Sequence, residues 1–384
     1  HKYTEVRIST SGVDGTRYWD GSDWVSAADT WIQSITQGPT SWYFTVPPAM
    51  LKDDTIYTVS ARALDYAGNY STVYSTYQFT YDLTAPNVSV SFPRDGVAYS
   101  QIKLSTPMAG AANQNDQVSA YAKVSTVAVQ ITDLYDSTCF TGAGFGGCPA
   151  WLPAQGTVDA WTYENAALSF TGNRQYSISA RATDFAGNNS AVASVSIKFD
   201  VAKPTSTVTY PLAGYTTGFT YVSGTASDGS DTYRANLGTY TVKVAIKRQT
   251  GSETGWWNGD DCTSADPVWF DTVLSTTGVN IGKWSRTISG ALQTYLTDPA
   301  NQNSSYRIVP WAYDLALNRE FGPNSGLPTA ANVPPQVGVT VTYDNAQPSS
   351  YITLPSLPNY RTLPVIQGTS GDNVRIAFTR LPVF

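Results

Sequence analysis

Apolar and polar positions alternate through three related stretches of the chain. In the first, Tyr57, Val59, Ala61 and Ala63 are interleaved with Thr58, Ser60 and Arg62, the period of two that a β-strand with one buried face requires. The phrase returns as Tyr176-Ser-Ile-Ser-Ala-Arg-Ala-Thr-Asp184 and Tyr306-Arg-Ile-Val-Pro-Trp-Ala-Tyr-Asp314. Each copy runs into a reversal: Asp65-Tyr-Ala-Gly-Asn69, Asp184-Phe-Ala-Gly-Asn188 and Asp314-Leu-Ala-Leu-Asn318. Gly and Asn suit the positive φ of a tight turn, so a hairpin is predicted after each strand. Leu317 in place of Gly predicts a different turn in the third copy.

A second strand and an Asp-to-Pro junction close each copy: Phe79-Thr-Tyr-Asp82-Leu-Thr-Ala-Pro86, Phe199-Asp200-Val-Ala-Lys-Pro204 and Tyr343-Asp344-Asn-Ala-Gln-Pro348. Proline cannot donate to a ladder, so these junctions mark domain boundaries. The phrases recur roughly every 120 to 130 residues, too long for a solenoid turn and right for one sandwich domain. Earlier in each copy a short alternating strand (Val6-Arg-Ile8, Val129-Gln-Ile131, Val244-Ala-Ile246) leads towards aromatic loops, and Trp31, Trp151 and Trp269 fall at comparable places, as do Trp42, Trp161 and Trp284. Repeated tryptophans of this kind read as core packing.

Composition agrees with many short strands: 384 residues with 13% aromatic and 14% charged residues, 25 Tyr, 30 Gly and 22 Pro. The expected fold is all-β, a set of tandem immunoglobulin-like β-sandwich domains in an elongated row. Residues 1–85 form a domain lacking its opening strands, 86–203 a domain with an inserted disulfide loop, and 204–347 a third domain. Residues 348–384 carry the opening strands of a further one.

The ordered combination of Tyr-x-Val-x-Ala-x-Ala-x-Asp-x-Ala-Gly-Asn, Phe-x-x-Asp-x-Thr-Ala-Pro and a Gly-Thr-Ala-x-Asp segment (Gly224-Thr-Ala-Ser-Asp228; Gly368-Thr-Ser-Gly-Asp372) resembles the tandem bacterial Ig-like repeats of large surface and secreted proteins of adhesin or stalk type. The resemblance covers essentially the whole chain. It implies a β-sandwich fold, an extracellular or cell-surface setting, and adjacent repeats of the same long chain as partners. The second copy departs from it, with Pro107-Met-Ala-Gly-Ala-Ala-Asn-Gln-Asn-Asp116 at the place of the Gly-Thr segment.

The first copy starts directly at Val6-Arg-Ile8, whereas residues 349–384 contain the opening that it lacks and reach Val374-Arg-Ile376. Two readings are open. The ends belong to a longer array of the same repeats, or the C-terminal strands of one chain complete the first sandwich of a neighbouring copy, with Ile352, Leu354, Val365 and Ile366 as the donated apolar side chains. A head-to-tail filament would follow from the second.

Chemistry is sparse. His1 is the only histidine, so a His-based triad or zinc site has no base or ligand to build on, and no catalytic residue is assigned. The net charge of -6, with 23 scattered Lys and Arg, offers no stripe for nucleic acid, and no apolar run is long enough to span a membrane. Cys139 and Cys148 flank a Gly-rich stretch that lets them pair as a disulfide, leaving Cys262 over. Calcium is the one cofactor worth entertaining, at Asp65, Asn69, Asp82, Asp184, Asn188, Asp200, Asp314, Asn318 and Asp344. The competing role for the turn aspartates is capping of backbone N–H groups. Two functions are weighed: a structural or adhesive segment forming a stalk or filament at the bacterial surface, and a carbohydrate-binding array in which Trp19, Trp24, Trp256 and Trp257 stack on surface glycans.

Overall fold

The computed structural model describes all residues except 13–14, 27–29, 37–39, 102–103, 105, 115–122, 252, 277 and 373–384. Asp116 and the strand expected at Val374-Arg-Ile376 lie outside the described residues. The chain divides into two compact units, one of residues 1–97, 106–169 and 175–197, the other of residues 98–105, 170–174 and 198–384.

In the first unit the alternating phrase Thr55–Leu64 is a strand held between Tyr3–Gly12 and Ser75–Tyr81. Its register against Tyr3–Gly12 pairs Val6 with Ala61 and Ile8 with Val59. The inward side chains Ile8, Trp19, Met50 and Tyr57 form a small core with Trp24, Phe44 and Phe79 around it. Among the described residues this sheet is faced by loops and by the two-residue strands Ile35–Thr36 and Trp42–Tyr43, not by a second broad sheet.

The next copy in this unit has both layers. Arg174–Asp184 pairs with Val124–Asp133, which also carries Thr138–Phe140 and Leu152–Pro153. The other sheet runs Gln155–Thr157, Ala160–Tyr163, Met108–Asn113, Asn87–Phe92. With an opposing sheet present, Tyr176, Ile178 and Ala180 are completely buried, as hydrophobic burial between two layers demands.

The second unit contains a full two-sheet sandwich. One sheet runs Thr205–Tyr210, Tyr221–Ser227, Ile281–Thr287, Val273–Leu274, and the other Gly214–Thr216, Val339–Tyr343, Ser305–Ala312, Val242–Arg248, Gly255–Trp256. Val222, Leu274 and Trp284 from the first meet Val244, Ile246, Ile308 and Val341 from the second in one core. Trp284 is 1% exposed, and a ring so placed is worth about 3–5 kcal/mol against alanine. A helix that the sequence did not announce, Gly290–Thr297, is capped by Ser289 and buries Leu292 and Leu296 in that core.

The third copy of the strand phrase breaks the expected alternation. Val309 and Trp311 are buried as well as Ile308, because Trp256, Trp269, Phe321 and Val333 pack over the outer face of the sheet. Pairing of Ser305–Ala312 with Val339–Tyr343 stops at Ile308, two residues before Pro310, which has no N–H to offer a ladder. The unit also holds a hairpin of Ser349–Leu354 with Gln367–Gly371. No helix among the described residues is long and apolar enough to cross a membrane.

Candidate functional site: the junction turns

Each strand phrase ends in a turn closed by its own aspartate. Asp65 Oδ1 accepts the Ala67 and Asn69 N–H groups at 2.9 and 2.8 Å, and its Oδ2 accepts Asn69 Nδ2 at 2.9 Å. Asp184 holds the N–H and Nδ2 of Asn188 at 2.8 and 3.0 Å, and Asp314 those of Asn318 at 2.9 and 2.8 Å. The third turn is the same as the others, contrary to the expectation from Leu317: Asp314 N–H reaches Asn318 O at 3.0 Å, as Asp65 N–H reaches Asn69 O. Leu317 adopts a φ of 72°, where Gly68 and Gly187 have 90° and 94°. The aspartate and asparagine clamp dictates the turn, and leucine accepts the strained backbone.

The asparagine amide has a second hydrogen, and it is used outside the turn. Within the first unit Asn188 Nδ2 donates to the main-chain oxygen of Asp82 at 3.0 Å. Within the second, Asn318 Nδ2 donates to the main-chain oxygen of Asp200 at 2.9 Å. Both acceptors are the aspartates of the Asp-to-Pro junctions. Their side chains turn the backbone towards the proline by accepting the N–H two residues on, from Thr84, Ala202 and, at Asp344, Ala346, at 2.9, 2.9 and 3.1 Å. Sequence and spacing thus place one lock in each unit: the turn of one copy is bonded to the strand end of the copy before it.

A glycine aligns a third element with these locks. A Cβ on Gly224 would strike Thr207 O at 1.8 Å and the Trp284 ring at 2.5 Å, and one on Gly110 would strike Ser89 O at 2.0 Å and the Trp161 ring at 2.4 Å. A Cβ on Gly368 would likewise strike Tyr351 O, at 2.4 Å. Only glycine allows the neighbouring strand and tryptophan so near. The counterpart of Gly224-Thr-Ala-Ser-Asp228 in the second copy is therefore Gly110-Ala-Ala-Asn-Gln114, and the residue matching Asp228 is Gln114. Gln114 Nε2 donates to Thr84 O at 2.6 Å, a neutral contact at the first junction.

At the second junction the matching residue is acidic. Asp200, Asp228 and Asp314 are 0, 1 and 0% exposed, and one carboxylate oxygen from each lies within 4.8 Å of the others. Burial, with Asp200 beside it, pushes the Asp228 carboxyl up to about 6, and burial pushes Asp314 up to about 7 against its bonds from Asn318. Of the residues entertained for calcium, Asp200 and Asp314 are brought together here, joined by Asp228, which was quoted in the Gly-Thr-Ala-x-Asp segment but not assigned a role. Asp65 and Asp184 are engaged in their turns, and Asp82 and Asp344 in bending the chain; no other group of three acidic or metal-ligating side chains gathers this closely among the described residues.

The tryptophans expected to stack on glycans are not platforms. Trp19, Trp256 and Trp257 are 4, 2 and 3% exposed, and Trp24 is half-buried, packed on Trp19 and Tyr57 with its Nε1 donating to Met50 O. Trp19 and Trp257 fill cores beneath their sheets and Trp256 belongs to the layer over the outer face, because an indole in a small β core is worth more buried than exposed. Trp31, Trp151 and Trp269 share a different partner position. Arg62 lies over Trp31 at 4.1 Å and Arg181 over Trp151 at 4.7 Å, and Trp311, at the same place in the phrase, meets Trp269 at 5.7 Å. Cys139 and Cys148 are bonded to each other and Cys262 is a buried free thiol. On the C-terminal hairpin and its approach Ile352, Val365 and Ile366 are exposed and Leu354 is half-buried.

No protein-family model matches the sequence, and no curated protein sequence matches it. Among solved structures, the chain is similar to the FN1–FN3 domains of chicken CNTN1, at 11% identity and a TM-score of 0.30 over 89% of this chain and 90% of that one. It is also similar to a tetra-tandem repeat in the extending region of a large adhesion protein, at 17% identity and a TM-score of 0.28 over 93% and 71%. A 1.5-MDa bacterial ice-binding adhesin gives 12% identity and a TM-score of 0.28 over 89% and 84%. By the pairing and layering of its own strands the chain is nearly all-β, built of several separate sheets with a two-sheet sandwich in the second unit.

Proposed function

We propose that this chain is a load-bearing repeat segment of an extracellular bacterial surface protein, of stalk or adhesin type, in which each sandwich is pinned to the strand end that precedes it. The repeats would be residues 1–85, 86–203 and 204–347, with 348–384 opening another. The observation that carries the reading is the lock made twice, Asn188 to Asp82 and Asn318 to Asp200. A hydrogen bond at a short proline-containing connection removes freedom that a linker would otherwise keep. A stiff series of domains is what a projecting segment needs, and no chemistry is asked of it.

The exposed apolar side chains of the hairpin, Ile352, Val365 and Ile366, fit cover by the remaining strands of a sandwich of the same kind, in an adjacent repeat or a neighbouring copy. Small-angle scattering on the full chain tests stiffness. The variant carrying Asn188→Ala and Asn318→Ala should keep its circular dichroism spectrum while its pair-distance distribution broadens and its Kratky plot lifts at high angle. Identical scattering from parent and variant would leave the lock without a mechanical role.

A further inference from the structure

The strand Ile281–Thr287 buries Gly282 and Trp284, and the same alternation turns Arg286 to the core face. An arginine at such a position is unusual in a sandwich. Its guanidinium lies over the Phe270 ring at 4.9 Å, and Nη1 donates to the main-chain oxygen of Asp271 at 2.6 Å. The Asp271 carboxylate is paired with Lys243 instead, and no carboxylate pairs with Arg286 among the described residues. Beside the guanidinium the core is open: Val222, Val244, Ile246, Trp257 and Leu292 wall a cavity of about 150 Å³. Of the residues around it Gly259 and Ser289 are exposed and Arg286 is half-buried, so the cavity opens to solvent past the guanidinium.

The sandwich of the first unit fills the same place. There Gly110 stands opposite Trp161 and Met108 opposite Tyr163; here Gly224 stands opposite Trp284 and Val222 opposite Arg286. Met108 and Tyr163 are each 4% exposed, so a thioether and a phenol ring occupy that core. Valine and an arginine at the mouth leave about one ring's space unfilled, and the helix Gly290–Thr297 walls the gap with Leu292 without closing it. Protein interiors are close-packed, and a void of this size costs stability unless something occupies it. We propose that the cavity binds a small carboxylate with a single-ring apolar body, the ring seated against Trp257 and Leu292 and the carboxylate paired with Arg286. An apolar cavity of about 150 Å³ accepts a benzene-sized group. Nε and Nη2 of Arg286 make no hydrogen bond among the described residues, which leaves donors for the forked pair that a guanidinium forms with a carboxylate. A desolvated ring and a charge-assisted pair at one end then select for size and for the anionic group together.

The test titrates the full chain with sodium phenylacetate at pH 7.5 in a calorimeter, with toluene as the uncharged comparison. The expected result is one phenylacetate per chain with a Kd of about 0.1–1 mM. Arg286→Met and Arg286→Gln are both made, so that the outcome does not hang on one variant, and each is checked for folding by circular dichroism. Either should weaken phenylacetate at least tenfold while changing toluene binding less than about threefold. Val222→Met, alone and together with Arg286→Tyr, restores the filling seen in the first unit; it should abolish binding of both probes and melt no lower than the parent. No binding of phenylacetate to the parent at about 10 mM would overturn the site. So would a folded Arg286 variant that binds phenylacetate as the parent does, or undiminished binding by the folded, filled chains.

Discussion

At Leu317 a side chain with a Cβ occupies a backbone conformation that its two counterparts reserve for glycine. The left-handed region costs an L-residue about 1 kcal/mol, and the side chain is 39% exposed, so little burial offsets the strain. Leu317→Gly should therefore stabilise the second unit by about 0.5–1 kcal/mol in urea denaturation, net of the entropy that glycine adds to the unfolded chain. Destabilisation on this change would mean that the leucine side chain makes a packing contribution larger than its exposure suggests. Cys262 gives a second residue-scale prediction. Its thiol is completely buried and burial pushes its pKa up to about 11, so the thiolate that reacts with disulfide reagents is scarce at neutral pH. The native chain should show no thiol to Ellman's reagent at pH 8, and the unfolded, unreduced chain should show one. Three reactive thiols after unfolding would contradict the Cys139–Cys148 pairing.

Among the elements, the period-two phrases were legible because half-buried strands write their two faces into the sequence. Tyr57 and Tyr176 point inward and Arg62 and Arg181 lie outward over tryptophans, as alternation requires. The third copy was less transparent. Its outer face is roofed by Phe321 and Val333, which lie beyond the turn, so Trp311 and Val309 are buried where alternation places solvent. Nothing local in Tyr306-Arg-Ile-Val-Pro-Trp-Ala announces a roof formed by a later segment. The helix Gly290–Thr297 escaped for a similar reason: its mean pattern is weak, and two leucines suffice because the rest of the core is already present. Equivalence of Gln114 with Asp228 was also hidden, since it rests on a glycine whose reason is the closeness of Ser89 O and Trp161. Read from the letters alone, the second copy departs from the Gly-Thr segment and offers no match for Asp228. The exposed-tryptophan reading failed at the same level, because a Trp-Trp-Asn-Gly loop looks alike whether its indoles face water or the sheet beneath.

For the molecule as a whole, the Asp and Asn of the second and third turns serve two purposes with one amide group. The turn is closed from within, and the same asparagine reaches the end of an earlier strand, at Asp82 in the first unit and Asp200 in the second. Repetition of this bond makes the junction a built feature, and the acidic trio is an elaboration of it at one junction. The direct test is native-state amide hydrogen exchange on the full chain and on Asn318→Ala, both in chelator. Loss of one net hydrogen bond is worth about 1 kcal/mol. The account predicts that amides of residues 199–202 exchange about five- to tenfold faster in the variant, while those of Ser305–Ala312 are unchanged. Equal protection of residues 199–202 in the two chains would contradict it.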